Sequence, residues 1–154
     1  MMEEDRKKVL LNKDFTLISD DYWGGYIYKK FDLKYNSPFI WLIINPKDYL
    51  KLLKNLKFYL LENELVFLRI EELGFPIAVL GDILIYFKGY KSAEEADEKW
   101  RRRLKRINWD NLFVKMTVND ESEAAEFEKL EYKRKIAIRN NQEEFDVVRW
   151  LNAG

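Results

Sequence analysis

The side chains with the greatest chemical capacity in this chain fall into a few short groups. Asp20 and Asp21 follow the β-rich run Phe15-Thr16-Leu17-Ile18 and stand just before Trp23-Gly24-Gly25. Paired carboxylates at a strand end can serve as acid and base or hold a divalent cation, and they are equally ordinary turn and cap residues. Gly24 and Gly25 put flexible backbone between a predicted strand and a predicted helix, where N–H groups could hold an anion. Their spacing matches neither the dinucleotide-binding nor the P-loop fingerprint, and a tight structural turn is the alternative. Lys99, Arg102 and Arg106 recur at helical spacing and share one face, with Arg103 on the other flank. Planar arginine forks suit phosphate, so this face could grip the diphosphate of a nucleotide-sugar; a solvated face paired with Glu95 and Glu98 is the competing reading.

Smaller groups complete the set. Asn108, Asp110 and Asn111 lie between the basic helix and the next strand, where short polar side chains either satisfy helix-end carbonyls or line a cleft. Tyr35-Asn36-Ser37 offers hydroxyl and amide groups to a sugar, or simply a turn before Pro38. Asp82 after Gly81 is one of the few further acids free to act as a base, in a dipeptide common in tight turns. The candidate acids and bases are thus Asp20, Asp21 and Asp82. The candidate ligand-holding residues are Trp23, Gly24, Gly25, Asn36, Ser37, Lys99, Arg102, Arg106, Asn108 and Asn111, with no residue assigned to a metal and no cofactor identified.

Composition narrows the chemistry further. The 154 residues contain no cysteine and no histidine. That excludes disulfides, thiolate nucleophiles, imidazole triads and histidine-based zinc sites, and it leaves Asp, Glu, Lys or Tyr with shifted pKa values as the only general bases. Lys plus Arg and Asp plus Glu both number 27, so no bulk field draws the chain to nucleic acid. The charged segment Met1 to Lys13 lacks the apolar run of a signal peptide, and the longest apolar stretch, Phe39 to Ile44, cannot span a bilayer. A cytoplasmic protein without a membrane span is the expectation.

The elements that must position these residues alternate along a single domain. Strands are predicted at Phe15–Ile18, Phe39–Ile44, Leu65–Ile70, Ile77–Leu80, Ile83–Phe87, Leu112–Met116 and Lys135–Ile138. Phe39–Ile44 is uninterruptedly apolar, as in a central strand buried on both faces. Helices are predicted at Tyr26–Phe31, at Pro46 to about Leu61 with Asn45 as N-cap, from the Ser92/Glu95 capping box to about Ile107, and at Glu121–Leu130 and Glu143–Leu151. Ala96, Trp100, Leu104 and Ile107 form the core face of the basic helix. The pattern predicts an α/β fold with a mixed, largely parallel, doubly wound sheet, helices on both faces, and an antiparallel hairpin around Gly81.

Several blocks within this frame carry a resemblance. They are Phe15-Thr16-Leu17-Ile18-Ser19 followed by Trp23-Gly24-Gly25, Tyr35-Asn36-Ser37-Pro38, Asp48-Tyr49, Leu80-Gly81-Asp82, and the long block from Lys99-Trp100 through Arg106-Ile107-Asn108 to Asp110-Asn111-Leu112-Phe113-Val114-Lys115. On these, roughly Lys13 to Arg139 resembles a bacterial family of unknown function whose members are often labelled exopolysaccharide or capsular polysaccharide biosynthesis proteins. The resemblance implies an α/β fold and an association with cell-surface polysaccharide production. Members commonly read Asn-Asn-Cys before Trp-Gly-Gly, where this chain has Asp20, Asp21 and Tyr22, and tend to carry His at the positions of Tyr86 and Gly89, as in a divergent or redesigned member. The expectation is a sugar- or nucleotide-sugar-handling transferase that binds its phosphorylated ligand where Asp20 to Gly25 and the Arg102/Arg106 face converge. The alternative is a non-catalytic binding or accessory module of polysaccharide assembly.

Overall fold

The computed structural model describes residues 9–139 and 145–154. In chain order the elements are β1 (Thr16–Ile18), α1 (Trp23–Lys30), α2 (Pro46–Lys54), α3 (Leu56–Leu61), β2 (Leu65–Leu68), β3 (Ile77–Leu80), β4 (Ile83–Tyr86), α4 (Ala93–Leu104), β5 (Leu112–Val118), α5 (Glu121–Glu128), β6 (Lys135–Arg139) and α6 (Val147–Asn152). The fold is mixed α/β. A parallel sheet runs in the order β1-β5-β6 and an antiparallel sheet in the order β2-β3-β4. The predicted hairpin is present: Leu80 pairs with Ile83 across Gly81-Asp82, and Gly81 takes the positive φ of 63° that such a two-residue turn requires.

Alternation along β5 divides the interior into two cores. Val114, Met116 and Val118 point to one side, where Tyr49, Leu52 and Leu53 of α2, Trp100 of α4 and Phe127 of α5 cover them. Phe113 points to the other side, with Phe15 and Leu17, beneath Ile27 and Tyr28 of α1 and Val147, Val148 and Leu151 of α6. Helices therefore cover both faces of the parallel sheet, as a strand apolar on both sides demands. The free edge of β1 is closed by a side chain: the Tyr28 hydroxyl accepts from Leu17 N–H at 2.9 Å and donates to Phe15 C=O at 3.0 Å.

The run Phe39 to Ile44 sits centrally, as expected, but it is not a regular strand. Trp41 takes φ of 57°, which turns the backbone out of extended geometry, and only Ile43 makes a bridge, to Tyr86. Ile44 N–H then donates to Asp20 C=O at 2.9 Å. This short segment is the mortar between the two sheets. The predicted helix from Pro46 to Leu61 is broken at Asn55, whose φ and ψ of −149° and 50° interrupt the ladder and leave two helices. Asn45 has the extended backbone of a cap residue, yet its side chain makes no cap bond, so Pro46 alone marks the helix start. Ser92 does cap α4, accepting from Glu95 N–H at 3.1 Å, but the Glu95 carboxylate reaches back to Lys91 N–H rather than to Ser92. The helix expected from Tyr26 begins at Trp23 and takes in both glycines.

Residues 1–8 of the charged N-terminal segment, and residues 143–144 of the predicted last helix, lie outside the described residues. Among those described, no helix is long and apolar enough to cross a membrane.

Trp100 is 3% exposed and its ring meets Phe39 and Phe87 edge-on at 5.5 and 5.9 Å. Truncating it leaves a cavity between α4 and the antiparallel sheet. Trp100→Ala is expected to lower unfolding free energy by about 3–5 kcal/mol in urea denaturation; an unchanged midpoint would place Trp100 outside the core.

Candidate functional site

β5 continues past the end of β1, so the loop after β1 crosses in front of the last inward-facing residues of β5. That register brings Asp20 and Asp21 against Lys115 and Thr117. Lys115 Nζ donates to Asp20 Oδ1 at 3.0 Å, to Asp21 Oδ1 at 2.6 Å and to Thr117 Oγ1 at 2.6 Å. Thr117 N–H donates to Asp20 Oδ2 at 2.9 Å, and its hydroxyl donates to Asp21 Oδ2 at 2.8 Å. Asp21 Oδ1 also accepts from Trp23 N–H at 3.0 Å, tying the cluster to the first turn of α1. The ammonium of Lys115 occupies the position between the carboxylates that a divalent cation could take on the sequence reading.

The two carboxylates differ in environment. The side chains of Lys115 and Asp20 are 1% and 5% exposed, while that of Asp21 is 34% exposed. Burial pushes the Asp20 carboxyl up to about 6, against the attraction of Lys115 and with the help of the neighbouring Asp21 charge. Burial also opposes ionisation of Asp21, but the Lys115 charge and the hydrogen bonds from Lys115, Trp23 N–H and Thr117 outweigh it and hold Asp21 below the ordinary carboxylate range. Environments that drive two adjacent acids apart in this way are a mark of acid–base sites.

The cluster lies at the carboxyl ends of β1 and β5. From β1 the chain leaves through α1 over one face, and from β5 through α5 over the other. Strand ends whose outgoing connections diverge to opposite faces are the usual ligand position in open α/β sheets. The Trp23 indole stands beside the cluster, with Lys115 Nζ 5.7 Å from the ring centre. On the other side of α1, Tyr22, Tyr26 and Tyr35 all meet Trp41 edge-on, at 5.5, 5.2 and 6.4 Å.

Gly24 and Gly25 are close-packing residues within the helix rather than a flexible loop. A Cβ on Gly24 would lie 2.8 Å from the Ser19 Cβ, and one on Gly25 would lie 2.9 Å from the Trp41 ring. The absence of side chains lets the first turn of α1 press onto the end of β1, which places Trp23 N–H within reach of Asp21.

The remaining residues singled out from sequence do not join this cluster. Asn108 N–H donates to Thr16 Oγ1 and Asn111 C=O accepts from Thr16 N–H, which puts both asparagines at the amino ends of β1 and β5, the opposite edge. Asn36 C=O accepts from the same Thr16 hydroxyl, and Arg106 donates to Tyr35 C=O at 3.1 Å. Ser37 is buried and bonds locally to Phe39 N–H. Lys99 pairs with Glu95, and Arg102 with Glu98, each on its own helix. The expected convergence of the Arg102/Arg106 face with Asp20 to Gly25 is therefore not observed. α4 feeds β5, so the residues at its carboxyl end are delivered to the amino end of the strand. Asp82 lies in the β3–β4 turn, accepting from the Tyr59 hydroxyl at 2.6 Å and pairing with Lys51 at 3.2 Å, remote from the cluster in topology.

Lys115 and Thr117 were not among the residues singled out. A signal existed: a lysine in the middle of Leu112-Phe113-Val114-Lys115-Met116-Thr117-Val118, a strand apolar on both faces, must either be exposed or find carboxylates.

Scaffold and cluster together define a mixed α/β protein with a buried ion network at the carboxyl edge of its parallel strands. The chain belongs to the family described as a domain of unknown function, DUF1919, whose profile matches residues 1–152. An uncharacterised protein of Haemophilus influenzae is 37% identical over 133 residues, spanning 84% of this chain and 64% of that protein. The chain thus covers less than two thirds of that relative's length.

Two outcomes test the geometry. Gly→Ala inside a helix ordinarily stabilises by roughly 1 kcal/mol; Gly24→Ala is expected to reverse that sign and destabilise by about 1–3 kcal/mol, because the new methyl meets a side chain anchored at Ser19. A rise in melting temperature would refute the close approach. The second outcome concerns pH. Asp20 binds its proton more tightly folded than unfolded, so its contribution disfavours the folded state increasingly as pH rises from its ordinary 3.8 to about 6. Asp21 has the opposite sign, adding stability above the ordinary carboxylate pKa that is lost as pH falls through its depressed folded value. Asp20→Asn is expected to gain urea stability relative to the parent across the first window and to hold a constant difference above it; a flat difference throughout would show that Asp20 titrates normally.

Proposed function

We propose that this chain is a sugar-handling enzyme of the transferase type, taking a phosphorylated or nucleotide-linked sugar at the carboxyl ends of β1 and β5. The observation that carries the reading is Asp21: a partly exposed carboxylate, ionised at neutral pH, fixed by three accepted hydrogen bonds from Lys115, Thr117 and Trp23 N–H. Two carboxylate oxygens offer about four lone-pair directions, so one acceptor position remains for a substrate hydroxyl. Orientation by Asp21 would polarise that hydroxyl. The cluster, with two carboxylates against one ammonium, would take up its proton as the oxygen attacks the sugar carbon and the phosphate departs.

Asp20, held near a pKa of 6 behind Lys115, is the member best matched to receive a proton near neutrality. The resemblance to proteins labelled for exopolysaccharide biosynthesis supports the same substrate class.

A non-catalytic accessory role is the second reading, and one observation favours it: the three ammonium donors of Lys115 are all satisfied within the protein, as in a purely structural ion network. Thermal shift against a panel of nucleotide-sugars, followed by turnover assays with Asp21→Asn, separates the two. Ligand binding to the native state raises the melting temperature. The enzyme reading expects at least one sugar donor to do so, and Asp21→Asn to keep that shift while losing roughly 100-fold or more in rate. No donor raising the melting temperature of the parent or being turned over by it would favour the accessory reading instead, whatever stability Asp21→Asn loses.

A further inference from the structure

α4 carries a second feature that the carboxyl-edge site does not use. Its acids and bases pair four residues apart: Glu95 with Lys99, Asp97 with Arg101, and Glu98 with Arg102. The same spacing places Lys99 four residues before Arg103 and Arg102 four residues before Arg106, so the helix supplies these two arginines with cations instead of acids. Arg103 is nevertheless 5% exposed. Its guanidinium donates from Nη1 to the Tyr90 hydroxyl at 2.8 Å, and Tyr90 in turn donates to Ile40 C=O at 2.7 Å. The Tyr35 ring lies against its face, 4.8 Å from the central carbon. Nε is buried and has no hydrogen-bond partner, and no carboxylate among the described residues lies within ion-pair distance.

A guanidinium has five N–H donors in one plane. Here that plane is fixed by a hydroxyl at one corner and an aromatic ring on its face, while no carboxylate among the described residues supplies a counter-charge. Buried cations are ordinarily paired. Arg106 stands beside it, bonded to Tyr35 C=O at 3.1 Å; its own pKa is lowered, first by burial and then by repulsion from Arg102 and Arg103. Lys99 lies over the ring of Tyr90, 5.8 Å from its centre. The facing acids Glu95 and Glu98 are already engaged.

We infer that Arg103, with Arg106, Tyr35 and Tyr90, forms an anion-binding site that takes a phosphate or carboxylate group of a small ligand as the missing counter-charge. The site is independent of the catalytic reading above, since Asp21 and Lys115 contribute nothing to it.

The probes are inorganic pyrophosphate and glucuronate, each titrated at constant ionic strength against sodium chloride. They separate a phosphate from a carboxylate as the group recognised. In the full chain with isotope-labelled arginine, one of the two is expected to shift the Arg103 Nε resonance and to raise the melting temperature beyond the chloride control. Arg103→Met and Arg106→Gln should each weaken that response about tenfold or more, as loss of a charge-assisted contact does, and Asp21→Asn should leave it unchanged. Should Arg103→Met fail to fold, the more exposed Arg106→Gln and the resonance titration of the parent decide the matter. The inference is overturned if neither anion moves the Nε resonance, or if Arg103→Met folds more stably and responds to both anions as the parent does.

Discussion

The buried ammonium of Lys115 is the constraint from which the parallel half of this protein follows. A lysine 1% exposed is tolerable only when countercharges and hydrogen bonds replace its hydration, and removing one member of such a group leaves an uncompensated charge at a cost of about 3–5 kcal/mol. The partners come from the loop after β1, 94 and 95 residues earlier in sequence. The ion network is therefore also a long-range tether: it aligns the end of β1 with β5, and through the Asp21 bond to Trp23 N–H it sets where α1 starts. On the other face the Lys115 carbonyl accepts from the Tyr49 hydroxyl at 2.7 Å, so one residue holds α1 and α2 on opposite sides of the same strand.

Joining the two sheets is a separate problem, and it is solved by close approach instead of charge. Trp41 takes a left-handed backbone conformation that non-glycine residues rarely adopt. The turn lets its carbonyl accept from Gly89 N–H at 2.9 Å and lays its ring over Gly25. A Cβ on Gly89 would stand 2.4 Å from that of Trp41, so the glycine and the strained tryptophan are two halves of one contact. The strain is held by the Ile43 bridge to Tyr86 and the Ile44 bond to Asp20 on either side of the join.

These two devices explain what could be read from the sequence. Elements whose signal is local were legible: the apolar strands β1, β5 and β6, the Gly81-Asp82 hairpin, and the Ser92 cap of α4 all follow from neighbouring residues. Asp20 and Asp21 were legible as chemistry because adjacent acids after a strand are conspicuous. Lys115 was not, because inside a strand a lysine ordinarily marks a solvent-facing position, and the acids that reverse that reading lie far away in the chain. The left-handed Trp41 and the break at Asn55 were hidden for a similar reason, since nothing in Phe39 to Ile44 or in the helical repeat after Pro46 departs from regular periodicity. Tertiary contacts impose both.

The placement of the basic helix was open to topology, though not to periodicity. A helix that leads into a strand ends at that strand's amino end, whereas the loop after a parallel neighbour emerges at the carboxyl end. Arg106, two residues before Asn108 and the entry to β5, was bound to lie across the sheet from Asp20 and Asp21. The net charge of zero therefore conceals a separation: two carboxylates share one ammonium at the carboxyl edge of the parallel strands, while Arg103 and Arg106 stand toward the other edge with no ion-paired carboxylate among the described residues. Opposite charges that could have cancelled by pairing are instead kept apart by the order of the elements.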